Sequence, residues 1–155
     1  MGPVLAQLEQ SGLATWIRES GVLYGYPLIL FLHTLGLSTL VGLSSAIDLR
    51  LLGIAPGIPL ESLQRTFGLL WAALALTVLT GTLLFVSDAV RHGSNPAFYV
   101  KLLFVILAVV ALVAVRRRIF RGGQRGRLLA AASLGCWFIA LSAGRLMAYV
   151  SEFVS

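Results

Sequence analysis

From Val22 to Ile47 the chain carries no formal charge with histidine neutral, and most of that stretch is apolar. About 20 such residues cross the hydrocarbon of a bilayer, where a single segment satisfies its own backbone only as a helix. A run of this kind excludes most soluble folds before any other residue is read. Inside it sits His33, whose ring must find a partner away from water, and intramembrane ionisable groups are functional candidates by default.

The rest of the chain agrees with a membrane setting. Hydrophobic residues make up 58% of the 155 and charged ones only 12%, with a mean hydropathy of +0.92; a soluble surface needs more polar cover. The net charge of +6 does not imply a nucleic-acid partner, because the arginines cluster at the ends of apolar runs, as membrane topology demands. Cys136 is the single cysteine, so neither an intrachain disulfide nor a cysteine metal cage can form. The first apolar run is too long for a signal peptide, and Glu9, Arg18 and Glu19 before it are net negative. It is therefore expected to stay in the mature protein.

Taken in order, residues 3–20 place Val4, Leu5, Leu8, Leu13, Trp16 and Ile17 at helical spacing, which predicts a short interfacial helix anchored by Trp16. Four spans follow, at about 24–47, 67–88, 97–115 and 128–150. The first is expected to end at Asp48-Leu49-Arg50, with Asp48 and Arg50 closing it as a local pair. Small-residue ridges at Ser38, Gly42 and Ala46, at Ala73, Thr77 and Gly81, and at Ala140, Gly144 and Ala148 suit close helix packing in lipid. GIAPGIP at 53–59 and RHGSNP at 91–96 read as loops.

If the third-to-fourth connection is cytoplasmic, that side holds Arg50, Arg65, Arg116, Arg117, Arg118, Arg121, Arg125 and Arg127, against Arg18, Arg91 and Lys101 on the other. The expected fold is all-α: an integral membrane four-helix up-and-down bundle with a short N-terminal interfacial helix, forming one domain over 1–155 in contact with lipid. Both termini are then periplasmic and the Arg116–Arg127 connection cytoplasmic, in a bacterial inner membrane.

On that topology the polar intramembrane residues gather toward the outer half. His33 lies about 10–16 Å below the outer end of its helix, while Lys101 and Arg145 lie near the outer ends of theirs. Ser142, Arg145 and Tyr149 share one helix face. A histidine projecting into a bundle is a usual axial ligand for haem b, with basic side chains for the propionates. The second axial position is open between His92, Met147, Lys101 and a five-coordinate iron. Copper is the alternative, with His33, Met147 and Cys136 as ligand types. Against both stands the simpler role of His33 as a hydrogen-bonded packing residue between helices, and of Lys101 and Arg145 as snorkelling cations.

The segment LHTLGLSTLVGLSSAIDLRLLG at 32–53, NPAFYVKLLFVILA at 95–108, and Trp137 followed by Gly144-Arg145 and Tyr149 resemble an uncharacterised bacterial family of four-helix membrane proteins. More distantly they resemble the copper-resistance CopD-type domain and the HemJ-type membrane protoporphyrinogen oxidases. That resemblance implies functional roles for His33 and Lys101, and haem b at His33. Leu40-Val41-Gly42 replaces the tryptophan-glycine pair of CopD-type domains, and the aromatic Arg…Tyr-His stretch of the oxidases is absent. A membrane redox partner or a larger complex is the partner class this reading implies.

Overall fold

The computed structural model describes residues 2–20, 24–54, 56–57, 59–119 and 126–153, with backbone alone for 2, 60, 61, 64, 118, 119 and 147–153. Among them the fold is all-α. Two short helices, α1 (Gly2–Glu9) and α2 (Gly12–Glu19), precede α3 (Tyr26–Leu52), α4 (Leu60–Ser87), the short α5 (Ala89–Ser94), α6 (Pro96–Ile119) and α7 (Gly126–Phe153). The helices α3, α4, α6 and α7 are long and apolar enough to cross a membrane, as a four-helix membrane bundle requires. Only 17–28% of each span's most apolar window is buried inside the protein. Side chains such as Phe31, Leu79, Ile106 and Phe138 are left exposed, and lipid is the solvent that suits them.

The chain forms two compact units, one of residues 1–40 with 69–95, the other of 41–68 with 96–155. In the first, the N-terminal segment is two helices where the sequence predicts one. Ser11 makes the break: its Oγ donates to Leu8 O over 2.6 Å and accepts from Ala14 N–H over 3.4 Å, serving the end of one helix and the start of the next. Ala14 and Ile17 are buried while Trp16 is exposed.

A single ion pair ties these helices to the far corner of α4. Arg18 meets Glu9 at 3.4 Å and donates to Ser87 O, the last residue of α4, over 3.1 Å. Glu9 accepts from Val90 N–H over 3.0 Å, so a carboxylate brought from α1 caps the first turn of α5. Asp88, the N-cap by position, makes no side-chain cap bond; its carboxylate instead lies 3.6 Å from Arg91. The loop expected at 91–96 is thus helical up to Ser94, and its first-turn Val90 N–H finds an acceptor in Glu9.

In the second unit, α3 runs on through Asp48-Leu49-Arg50 to Leu52. Its stop is Gly53 at φ +85°, with Gly53 N–H on Arg50 O at 3.1 Å and Ile54 N–H on Leu49 O at 3.0 Å. This is a Schellman cap, and it needs the left-handed backbone that glycine adopts without strain. Charge alone did not end the helix, since nothing at Asp48 breaks its backbone bonds. Ile47, Phe67, Leu112, Val115, Ala130 and Trp137 are buried in this unit, and the Arg116 guanidinium stands 5.4 Å over the Phe67 ring.

Gly53→Ala is expected to cost about 1 kcal/mol in reversible unfolding in mixed micelles, because alanine pays the left-handed strain. Arg18→Ala should raise amide exchange over residues 2–20 by about tenfold while the four long helices keep their protection. Unchanged exchange would show that Ala14 and Ile17 hold the segment without the ion pair.

Candidate functional site

His33 sits on the face of α3 turned to α4 within the first unit. Its Nδ1 lies 3.0 Å from Thr80 Oγ1, and Thr80 Oγ1 is itself 2.6 Å from Leu76 O. A hydroxyl has one proton, and here the backbone carbonyl takes it. With that proton on the carbonyl, Thr80 accepts from the Nδ1–H tautomer of His33.

The close approach that makes this possible comes from glycines on both helices. A Cβ at Gly81 would stand 3.0 Å from His33 Cε1, and one at Gly36 would stand 2.8 Å from Thr77 Oγ1 and 3.3 Å from Ala73 O. The expected ridge Ala73, Thr77 and Gly81 therefore does face α3. The ridge proposed on α3 does not serve the same purpose. Ser38 and Gly42 are exposed, and nothing lies within 4 Å of a Cβ at Gly42. The packing face of α3 is His33, Gly36 and Leu40, with Gly36 and Leu40 each two positions before Ser38 and Gly42 of the stripe that small residues suggested.

His92 does not fold inward as a second ligand would require. It belongs to α5, with Nδ1 2.8 Å from Asp88 O and its ring edge-on to Phe85 at 6.5 Å. Phe85 stands a full helical turn beyond Gly81, about 6 Å along α4.

The remaining candidates fall in the second unit. Lys101 lies in the second turn of α6, half-buried, with its stem laid along α7. A Cβ at Gly144 would be 3.7 Å from its Cδ and Cε and 3.8 Å from Nζ. Arg145 follows Gly144 on the same helix and is exposed. Met147 and Tyr149 lie on the backbone of α7, but their side chains fall outside the described residues, as do residues 120–125 of the basic connection. Cys136 is free and half-buried. Among the described residues no three His, Cys, Asp or Glu gather as a metal site needs.

The sequence reading missed a buried polar cluster in this unit. Ser44 and Asp48 stand one turn apart on α3, and Ser133 and Trp137 one turn apart on α7. Trp137 Nε1 donates to Ser44 Oγ over 2.9 Å, and all four residues are at most 1% exposed. Asp48 is enclosed, with Ser133 the side chain that bears on its carboxyl. The available signal was the i,i+4 spacing of polar residues in both helices.

Comparison of the chain with protein-family models, with curated proteins and with solved structures finds no match.

Ser44→Ala should destabilise the protein by about 1–3 kcal/mol, since it strands the Trp137 N–H in a buried place. Trp137→Phe in the Ser44→Ala background removes that stranded donor. Recovery of part of the loss in the double variant, read by unfolding in micelles, would assign the cost to the hydrogen bond.

Proposed function

We propose that this chain is an integral inner-membrane protein of b-type-cytochrome character that binds one haem through His33, for electron transfer or porphyrin oxidation. The observation that carries the reading is the His33–Thr80 hydrogen bond. Axial histidines donate their second ring nitrogen to an acceptor that fixes tautomer and orientation. Thr80, already donating to Leu76 O, is placed to play that part here.

The residues fit a group that asks for one oriented imidazole. Haem, when bound, supplies one-electron chemistry at a potential set by its axial ligands and surroundings. The chain's own contribution is to hold the His33 ring against Gly81 and Thr80. Copper handling of the CopD type, with His33, Met147 and Cys136 as ligand types, is the alternative. The arginine bias supports an inner-membrane orientation with both termini periplasmic and the Arg116–Arg127 connection cytoplasmic. The partner class is a membrane redox protein or a larger complex.

One observation favours a second reading, a non-enzymatic membrane subunit in which His33 packs two helices. Its ring fills the gap above Gly81 and its hydrogen bond joins α3 to α4, which is what a packing residue does. Such bonds contribute about 0.6 kcal/mol on average in membranes.

An oxidised-minus-reduced visible spectrum of the detergent-purified protein separates the two. Under the haem reading the wild type shows a haem b signal that His33→Ala abolishes, and Thr80→Val weakens haem affinity about tenfold or more. A colourless wild type from haem-replete cells would overturn it, and His33→Ala would then change only helix association.

A further inference from the structure

Four arginines stand exposed at one end of the second unit: Arg65 near the start of α4, Arg116 and Arg117 near the end of α6, and Arg127 at the start of α7. Two contacts draw that end together. The Arg116 guanidinium lies 5.4 Å over the Phe67 ring and joins α6 to α4. Arg127 reaches the turn that closes α3, where a Cβ at Gly53 would stand 3.2 Å from its Nη2. Arg118, Arg121 and Arg125 belong to the same connection by sequence, and their side chains lie outside the described residues. The acids of this unit near these helix ends are Asp48, which is 0% exposed, and Glu61, whose side chain is not among the described ones.

Beside the guanidiniums the surface turns apolar at once. Ile54 follows Gly53 and is 68% exposed, and Leu128 follows Arg127 and is 79% exposed. A cation set against exposed apolar side chains at the end of a membrane span matches a molecule with an anionic head and a hydrocarbon tail. Nucleic acid or an acidic protein would meet the charges and leave Ile54 and Leu128 in water. The residue type points the same way. Lysine and arginine serve membrane topology alike, yet every basic residue at this end is arginine, whose planar fork of N–H donors fits phosphate oxygens in pairs.

We propose that this end of the unit binds an anionic phospholipid. Its phosphodiester lies at Arg127 beside the Gly53 turn and its acyl chain along Ile54 and Leu128. Arg65, Arg116 and Arg117 add the positive field that favours an anionic over a zwitterionic headgroup. A side chain at position 53 would press on Arg127 Nη2, so the glycine that ends α3 also leaves the guanidinium its place. None of these residues takes part in the haem reading, and the proposal stands or falls without it.

The test uses the whole protein in a neutral detergent with equal amounts of phosphatidylglycerol and phosphatidylcholine, and native mass spectrometry reads which lipid stays bound. The wild type should retain phosphatidylglycerol in preference. Arg65→Gln, Arg117→Gln and Arg127→Gln should each lower that preference about fivefold, and the three together should abolish it. Arg91→Gln, in the first unit and 3.6 Å from Asp88, should leave it unchanged. Equal retention of the two lipids by the wild type, or a preference that survives the triple substitution or falls as far with Arg91→Gln, overturns the site. Inorganic phosphate, added in excess against chloride of the same ionic strength, should leave the lipid in place. Displacement by it would assign the arginines to a free anion and overturn the lipid. A phosphatidylglycerol with a photoreactive acyl chain carries the test to the unmodified protein, whatever the variants do to folding. Label on the peptides that hold Ile54 and Leu128 supports the site, and label confined to other peptides overturns it.

Discussion

In hydrocarbon a polar group has no water to return to, so every donor and acceptor within a span must be met by the protein itself. The hydroxyls of Thr34, Thr39, Thr77, Thr80 and Thr82 all turn back onto carbonyls of their own helix, at Leu30, Leu35, Ala73, Leu76 and Val78. That habit has a consequence for His33. With its proton on Leu76 O, Thr80 meets the Nδ1–H tautomer of the imidazole as an acceptor, so a local backbone bond favours that tautomer on the neighbouring helix. The same demand sets Trp137 on Ser44 and Ser133 beside the Asp48 carboxyl.

Close packing follows from the same demand. A hydrogen bond of 3.0 Å between side chains of α3 and α4 needs the helices near each other, and lipid offers no hydrophobic drive to bring them there. Gly36 and Gly81 supply the approach by lacking the atoms that would block it. At the other end of the first unit, where lipid gives way to water, charge takes over. Glu9 and Arg18 meet the free N–H and carbonyl groups at the corner between α4 and α5.

Much of the fold was legible in the sequence because the spans are marked by what they lack. Uncharged apolar runs name their own helices, and Pro27 and Pro96 fall in first turns where a missing N–H costs nothing. The candidate site was legible only in part. His33 stood out as a polar residue in an apolar run, but its partner Thr80 is 47 residues away and looks like any other threonine. Asp48 was misread as a helix-ending charge, because a sequence shows its distance from the end of an apolar run and not what lies beside it. The ridge Ser38, Gly42 and Ala46 was as regular as Ala73, Thr77 and Gly81, yet a Cβ at Gly42 would meet nothing within 4 Å whereas one at Gly81 would meet His33. Small residues permit an approach without saying from which side it comes.

The sequence by itself determined the class of fold and its solvent: helices, four of them long enough to span, with lipid-facing apolar side chains. Length, charge and hydropathy are local properties, and the bilayer converts them directly into secondary structure. Only the tertiary structure decided which face of each helix looks inward. That choice made Thr80 an acceptor for His33, laid Lys101 along Gly144, and enclosed Asp48 with Ser133. Each depends on contacts between residues far apart in the chain, and periodicity along one helix carries no record of its neighbour.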